Sequence, residues 1–314
     1  MNLLRPDVFH PRIVLAGCPQ LVSGDGDDAG LVPALRHRGL HARWLSWDDP
    51  DTTAADLVIL RATWDYIDRL DEFTAWANSV PALLNPAPVV TWNTDKRYLL
   101  DLAAAGVPTI PTAVFGPDDA LRFEAPGEVV VKPAVGAGSV GARRLTDQGA
   151  AAAHAAALQQ QGRAVVVQPY DARVDSDGET ALVFLGGEAS HAFGKAAILP
   201  PGGAAPDVDP SGTFAAESLS AAEPDFAAWD VGHAALQAAA DHLGIAVTDL
   251  LYARVDVIGG AADVRVLELE LVEPSLGWSQ LDETTRLRQE GRFARCVESA
   301  LDRLGLGPLS HRRP

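Results

Sequence analysis

The sequence has only 2 cysteines in 314 residues, Cys18 and Cys296, and they lie far apart. Neither belongs to a C-x-x-C motif, so the sequence predicts neither a disulfide framework nor a thiolate metal site. No apolar run approaches the roughly 18 residues that a membrane span requires, and the first apolar stretch is too short for a signal peptide. We therefore expect a protein of the reducing cytoplasm.

Basic residues are also scarce, with 25 Lys and Arg against 42 Asp and Glu and a formal net charge of -17. So acidic a chain repels phosphate backbones and anionic lipids, which argues against nucleic acid and membranes as partners. The hydrophobic share of 47% and the charged share of 21% are those of an ordinary folded protein with about two domains. We expect small molecules as partners, and a homodimer remains open.

The glycine-rich segment 136–141 reads G-x-G-x-x-G, a pattern shared by several nucleotide-binding loops. A dinucleotide-binding turn opens into a helix and has an acid about 20 residues further on, where this chain has Ala156. A kinase loop has a valine where Arg143 stands, and the chain contains neither H-R-D nor D-F-G. A Walker phosphate loop is also absent. Two interpretations remain, a surface hairpin or a phosphate-binding loop that follows Lys132.

Short apolar strands alternate with helices in the N-terminal part, which is typical of a parallel sheet with helical crossovers. Pro86 and Pro88 then predict a break, because proline continues neither a helix interior nor a central strand. Thr94 is the predicted N-cap of a helix that runs to about Ala105. We place a domain boundary near residue 92.

The boundary divides the chain into two predicted units. Residues 1–92 are expected to form an α/β domain of Rossmann type, and residues 93–314 an α+β domain. Strands and a helix within about 113–168 are expected to form a small lid subdomain of this second domain. Residues 200–220, rich in Gly, Pro, Ala and Ser, predict a loop.

Strand alternation towards the C-terminus places three carboxylates on one face of a predicted hairpin. Asp256 lies on the first strand and Glu268 and Glu270 on the second, each opposite an aliphatic face. Like charges so placed repel unless a cation lies between them, and carboxylate oxygens suit Mg2+. The pattern predicts a magnesium site. It also predicts that an acid-to-amide substitution there maintains or raises the stability of the ligand-free protein, because repulsion is relieved.

Four motifs in a fixed order resemble those of the ATP-grasp superfamily. They are Thr94-Asp95-Lys96, Val131-Lys132-Pro133 with the glycine loop, Gln168-Pro169-Tyr170, and Arg254-Val255-Asp256 ahead of Glu268-Leu269-Glu270. Across roughly residues 90–280 the pattern is most similar to glutathione synthetases and O-ureido-D-serine cyclo-ligases. The resemblance implies an ATP-grasp fold with a Rossmann-like pre-ATP-grasp domain, a lid and a C-terminal α+β subdomain. The chain departs from the family at Glu270, where asparagine is common, and at Gln168, where an acid often begins the adenine hinge.

The resemblance also implies roles for individual residues. Contacts to the phosphates, adenine or ribose of ATP are expected from eight residues, Lys96, Lys132, Gly136, Gly138, Ser139, Gln168, Tyr170 and Glu179. Two Mg2+ ions are expected at the three carboxylates named above. Lys195 or Arg254 is expected to neutralise an acyl phosphate.

The implied reaction is ATP-dependent ligation of a carboxylate to an amine. The carboxylate attacks the γ-phosphate, and the amine then displaces phosphate to form a C–N bond, so that ADP and phosphate are released. Two alternatives remain open. One is a nucleotide-binding protein without turnover, and the other is a ligase that adds amino acids to a protein terminus.

The substrate end is predicted from position. Arg61 and Asp65 follow the third strand, at the edge where open α/β sheets bind ligands, and an arginine there can take a carboxylate bidentately. Glu273 and Ser275 come just after the second strand of the carboxylate hairpin. We expect these last two to bind an amine.

Overall fold

A parallel four-stranded sheet forms the N-terminal part of the computed structural model, which describes residues 10–122, 127–208 and 215–307. Its strands are β1 (Arg12–Gly17), β2 (His41–Ser46), β3 (Leu57–Ala62) and β4 (Leu83–Leu84), in the order β2-β1-β3-β4. Helices α1 (Leu31–His37) and α2 (Leu70–Ser79) lie between the strands in the chain. β3 is buried along its whole length, as a strand covered on both faces must be. The predicted α/β character is confirmed.

Two short helices follow this sheet and correct the sequence-based prediction. Helix α3 (Ala87–Asn93) starts directly after Pro86 and includes Pro88 in its first turn. Proline fits there because no backbone N–H of the first turn needs an intrahelical partner. Thr94 is the C-terminal cap of α3, and its hydroxyl donates to the Thr91 carbonyl instead of capping the next helix. That helix, α4 (Tyr98–Ala104), begins four residues later. Residue 92 falls within α3, and the domain division stays a prediction.

The second sheet is antiparallel and carries the glycine loop. Its strands are β5 (Ala113–Phe115), β6 (Val129–Pro133), β7 (Arg143–Leu145) and β8 (Val165–Pro169), in the order β5-β8-β6-β7. Helix α5 (Gln148–Gln160) packs on one face through Ala151, Ala155 and Leu158, and Asp147 caps its N-terminus. These elements lie in the part of the chain that was predicted to form a lid.

The third sheet has five antiparallel strands and brings the carboxylates together. Its strands are β9 (Glu179–Leu185), β10 (Glu188–Lys195), β11 (Leu219–Ala221), β12 (Tyr252–Ile258) and β13 (Arg265–Glu270), in the order β11-β10-β9-β12-β13. Three helices complete this part, α6 (Arg173–Asp177), α7 (Phe226–Leu243) and α8 (Glu283–Arg303). The predicted hairpin that carries the carboxylates, β12 and β13, is confirmed.

The two faces of the third sheet pack on different partners. One face packs on α7 and α4, where Leu182 and Val255 meet Leu236. The other face packs on α8, which also covers the first sheet, so that Phe293 lies in one core with Ile13. Helix α8 therefore joins the first and third sheets into one hydrophobic unit.

The loop predicted over 200–220 is described only in part. It makes a single 3-10 turn at Pro201–Gly203 and enters β11 at Leu219, while residues 209–214 lie outside the described residues. None of the helices in the described ranges is both long enough and apolar enough to cross a membrane.

Candidate active site

A deep cleft lies between the second and third sheets, with its end closed by residues from the first sheet and from α3. It is lined by the glycine loop, by the ends of β6 and β8, and by the polar face of β12 and β13. Ten of the predicted site residues with ionisable or amide side chains line it, namely Lys96, Lys132, Gln168, Tyr170, Glu179, Lys195, Arg254, Glu268, Glu270 and Glu273.

The three carboxylates predicted to hold Mg2+ converge at this cleft. The register pairs Asp256 with Glu268 across β12 and β13, and a bulge follows directly after Asp256. Carboxylate oxygens of Asp256, Glu268 and Glu270 all lie within 4.8 Å of one another. Three oxygen donors at this spacing fit a hard divalent cation such as Mg2+. The metal-binding role stays a prediction.

Two buried cations, both named in the sequence analysis as candidates for neutralising an acyl phosphate, lie beside these acids. The Arg254 guanidinium donates to Asp256 Oδ1 (2.8 Å) and to Glu270 Oε1 (2.6 Å), and Lys195 Nζ lies 2.8 Å from Asp256 Oδ2. Burial would raise the pKa of Asp256, but Arg254 and Lys195 outweigh it and lower that pKa. The extra negative charge of Glu270, where the family often has asparagine, is therefore met by Arg254.

Lys195 is, like Arg254, almost fully enclosed. Its side chain is 6% exposed and lies within 4.0 Å of three carboxylates, those of Asp256, Glu179 and Glu217. Burial alone would lower its pKa, yet the carboxylates raise the Lys195 pKa well above its usual value. Lys195 is thus a permanent ammonium beside the acid cluster, a position that suits charge neutralisation.

Two lysines reach Glu268 from the opposite wall. Lys132, at the end of β6, places Nζ 2.7 Å from Glu268 Oε1, and Lys96 places Nζ 3.9 Å from the same oxygen. Burial opposes ionisation of Glu268, but both lysines hold its pKa well below the usual range. Both predicted phosphate-binding lysines therefore lie directly across the cleft from the predicted metal site.

The glycine loop joins two antiparallel strands, as the sequence analysis proposed. Lys96 Nζ donates to the Gly136 carbonyl (2.8 Å), and the Gly138 carbonyl accepts from the backbone N–H of Ala215 (2.9 Å). Ser139 adopts a left-handed backbone with φ 58°, between glycines that tolerate such values. The small residues keep backbone N–H groups at the cleft surface, where a polyphosphate can approach them.

The predicted adenine contacts lie at one end of the cleft, and the predicted ribose contact lies beside Lys195. Gln168 donates to Thr112 Oγ1 (3.0 Å), and the Tyr170 hydroxyl donates to Asp175 Oδ1 (2.7 Å) while Arg144 covers its ring. Glu179 lines the same cleft, and its carboxylate lies 3.2 Å from Lys195 Nζ. The ribose role of Glu179 and the adenine roles stay predictions.

At the opposite end, Glu273 and Ser275 line the cleft beside the acid cluster. The Ser275 carbonyl accepts from Arg254 (3.1 Å), which fixes this segment against β12. The Tyr66 hydroxyl lies near the Glu273 carboxyl group, and both side chains line the cleft. Burial, together with the charge of Glu270, raises the pKa of Glu273 to about 8.

Two predicted substrate residues do not reach the cleft. Arg61 is 1% exposed, donates to Asp28 Oδ2 (2.8 Å) and to the Pro274 carbonyl (2.7 Å), and stacks on Tyr252. A buried guanidinium needs such partners, so the geometry does not support its binding a substrate carboxylate. Asp65 likewise accepts from Trp47 Nε1 (2.7 Å) and pairs with Arg69. Their neighbours Trp64 and Tyr66 line the cleft instead.

Two asparagines missed in the sequence anchor the catalytic strands. Asn93 bridges the Leu269 carbonyl (2.9 Å) and the Leu271 N–H (2.7 Å) of the β13 segment. Asn85 anchors the start of β12 in a similar way, and its side-chain oxygen accepts from the Leu251 N–H (2.7 Å). The only indication of such an anchor in the sequence is an isolated polar residue at the end of an apolar run, as in Leu83-Leu84-Asn85.

Comparison with known proteins agrees with this geometry. Residues 13–85 match a family model described as the N-terminal domain of D-cycloserine synthetase DcsG. The cycloserine biosynthesis protein DcsG of Streptomyces lavendulae is 39% identical over 272 residues, which are 80% of this chain and 88% of that protein. The crystal structure of D-cycloserine synthetase DcsG is similar at a TM-score of 0.78 and 35% identity, covering 91% of this chain and 98% of that one.

A more distant solved structure shows the same fold. The ATP-grasp ligase PsnB, complexed with a phosphomimetic variant of its minimal precursor, Mg and ADP, matches at a TM-score of 0.57 and 17% identity. The match covers 93% of this chain and 99% of that chain. The fold expected from the four motifs is confirmed.

Proposed function

Because this chain belongs to the DcsG family of ATP-grasp ligases and uses ATP to form a C–N bond, we propose that it closes a ring within a small amino acid. The substrate we propose is O-ureido-D-serine or a close analogue. In this reaction the carboxyl group is activated by ATP, and a side-chain nitrogen of the same molecule attacks it. DcsG of Streptomyces lavendulae is named for cycloserine biosynthesis, and the proposal extends that role to this chain.

The observation that carries the proposal is the arrangement of charge in the cleft. Three carboxylates converge on one wall, while Lys132, Lys96 and the glycine loop face them from the other. A polyphosphate bound between these walls would meet the lysines and the loop N–H groups directly. A carboxylate activated by phosphoryl transfer requires this concentration of fixed charge, because its transition state spreads negative charge over the transferring group.

Each part of the cleft has a proposed task. Lys96 and Lys132 hold phosphate oxygens, and residues 134–142 cover them. When bound at Asp256, Glu268 and Glu270, Mg2+ supplies positive charge beside the transferring phosphate, and we propose two ions. Arg254 and Lys195 neutralise the acyl phosphate, since both are buried cations at the acid cluster.

The ends of the cleft bind the two reactants. Gln168 and Tyr170 contact the adenine, and Glu179 contacts the ribose hydroxyls. Glu273 and Ser275 belong to the substrate end. With Arg61 held by Asp28, Arg254 is the arginine that remains near the position of the substrate carboxylate.

The test is a phosphate-release assay with ATP, Mg2+ and O-ureido-D-serine, with mass spectrometry of the products. We expect ADP and phosphate in equal amounts and a cyclised product. Release of AMP and pyrophosphate would contradict the mechanism. Turnover only with a peptide acceptor would favour ligation to a protein terminus, and ATP binding without any turnover would favour a non-catalytic role.

A further inference from the structure

Glu273 is enclosed at the substrate end of the cleft. It lies three residues after Glu270, in the segment that follows β13, and it is 9% exposed. Tyr66, which is 4% exposed, comes from the turn after β3, and its hydroxyl lies near this carboxyl group. Both side chains line the cleft, so the carboxylate is fixed where a small substrate must lie.

Glu273 differs from the other acids of the site because no cation pairs with it. Among the residues that the structure describes, no Lys, Arg or His nitrogen lies within 4.0 Å of its carboxylate, whereas Asp256, Glu268 and Glu270 each have such a partner. A buried carboxyl group without a cation is costly to ionise, so a ligand that brings a positive charge favours the ionised form of Glu273. The site is complete only when a ligand brings a positive charge.

The nearby cations cannot supply that charge. Arg254 is engaged by Asp256 and Glu270, and Lys96 by the Gly136 carbonyl and Glu268. Arg61 is held by Asp28 and by the Pro274 carbonyl, which directly follows Glu273 in the chain. These contacts fix the Glu273 segment and leave its carboxylate directed to the cleft.

We infer that Glu273 binds the ammonium group of the substrate, and that Tyr66 positions the carboxylate for this contact. The inference rests on the proposed function, since it assigns the group that selects a free amino acid. With its ammonium held at Glu273, the substrate directs its carboxyl group to Arg254, which donates to the Ser275 carbonyl of the same segment. An analogue in which hydrogen replaces the amine, or in which the amine is acylated, loses the ion pair and leaves Glu273 without a cation.

The experiment compares two substrates in five proteins. The substrates are O-ureido-D-serine and its counterpart without the amine, 3-(ureidooxy)propionate. The proteins are the wild type, Glu273→Gln, Glu273→Asp, Tyr66→Phe and the control Glu290→Gln, which changes a buried carboxylate of α8 outside the cleft. KM is measured for each substrate and for ATP.

We expect Glu273→Gln to raise KM for O-ureido-D-serine by about 10- to 100-fold, the range of a charge-assisted hydrogen bond. KM for the amine-free analogue and for ATP should change little, so the preference for the amine disappears. Tyr66→Phe should weaken the preference by about 3- to 10-fold, as for one lost hydrogen bond. Glu273→Asp should recover part of it, and Glu290→Gln should match the wild type. An equal KM rise for both substrates would overturn the inference, because it would indicate a structural role only.

A binding measurement separates this inference from the proposed function. If O-ureido-D-serine is not turned over, the proposed substrate is wrong, and calorimetry with D-serine and 3-hydroxypropionate in the presence of ADP and Mg2+ still tests Glu273. These probes share a carboxylate and a hydroxyl and differ in the amine. A wild-type preference for D-serine of about 10-fold or more that Glu273→Gln removes would support the inference. Equal binding of the two probes by the wild type would reject it.

Discussion

Lys132 Nζ lies 2.7 Å from Glu268 Oε1, so that a predicted phosphate ligand and a predicted metal ligand are joined across the cleft by an ion pair. The pair connects the second sheet to the third, since Lys132 ends β6 and Glu268 lies on β13. ATP with Mg2+ offers each partner a new counter-charge, a phosphate oxygen for the lysine and a cation for the carboxylate. If these roles hold, nucleotide binding is expected to be coupled to this contact between the sheets.

The first prediction concerns the loop that follows Lys132. ATP with Mg2+ should protect residues 134–142 from hydrogen exchange, because their glycines contribute little packing of their own. Lys132→Ala should weaken this protection by about 10-fold, as one charge-assisted contact is lost. Arg43→Ala, an exposed cation of β2, is the control. Equal protection by NAD, or none by saturating ATP with Mg2+, would contradict the phosphate role of the loop.

A second prediction concerns Asp256, and here the structure reverses the expectation from the sequence. The carboxylate is 1% exposed and bonds to both Arg254 and Lys195, so its removal leaves two buried cations without a partner. Asp256→Asn should abolish turnover and also lower the unfolding free energy of the ligand-free protein by about 3–5 kcal/mol. Glu268→Gln, at a more exposed site, should cost only about 1 kcal/mol.

Urea denaturation measures these changes, and Asp263→Asn, exposed in the turn of the same hairpin, is the matched control. Unchanged stability of Asp256→Asn would show that repulsion among the acids outweighs the two ion pairs. In that case the estimate from the sequence alone would be correct.

A third prediction concerns Asn93, which holds both a carbonyl and an N–H of the β13 segment. Asn93→Ala leaves both buried groups unsatisfied and should lower the unfolding free energy by about 2–4 kcal/mol. It should also reduce turnover, since Glu268 and Glu270 lie on the strand that it anchors. Asn78→Ala, where the amide donates only within α2, is the control. Wild-type stability of Asn93→Ala would mean that water replaces both bonds.

The fourth prediction follows from the raised pKa of Glu273. The folded protein holds a proton on this carboxyl up to about pH 8, whereas the unfolded chain releases it near pH 4.3. The protonated acid therefore favours folding fully below about pH 4.3, and the advantage is lost as the pH rises towards about 8.

The unfolding free energy of the wild type relative to Glu273→Gln should accordingly fall by up to about 1.4 kcal/mol per pH unit over that range. Urea titrations of both proteins at a series of pH values measure the difference. Glu283→Gln, an exposed acid at the start of α8, serves as the control. A difference that is constant with pH would show that the carboxyl is ionised in the folded protein at all these pH values.

The local patterns in the sequence predicted the acid cluster well. The alternation of side chains along a strand places Asp256, Glu268 and Glu270 on one face of the β12–β13 hairpin independently of the rest of the fold. The observed register confirms this. For the glycine loop, elimination left a surface hairpin or a phosphate-binding loop between two strands, and the resemblance to ATP-grasp proteins then implied the phosphate role. Both features depend only on residues that are close in the chain.

Contacts between distant segments were beyond prediction from a single sequence. Arg61 stands at a strand end that suits ligand binding, but its partner Asp28 lies 33 residues earlier and nothing local indicates that they meet. The cations that offset the acid cluster come from β10 and from β12 itself, and only the packing of the strands brings Lys195 to Asp256. The N-cap role of Thr94 was predicted wrongly for a different reason. Proline disrupts a helix interior but fits the start of a helix, so a helix begins before Thr94.

Helix α8 covers an apolar face that is made more than two hundred residues earlier, where Phe293 and Val297 share a core with Ile13 and Leu15. During synthesis at about 5–20 residues per second, that face stays uncovered for roughly 10–50 s until α8 has been synthesised. The core on this face of the first sheet therefore cannot form completely before the C-terminal helix has been synthesised. Until α8 is made, the first sheet exposes hydrophobic surface of the kind that chaperones shield in the cell.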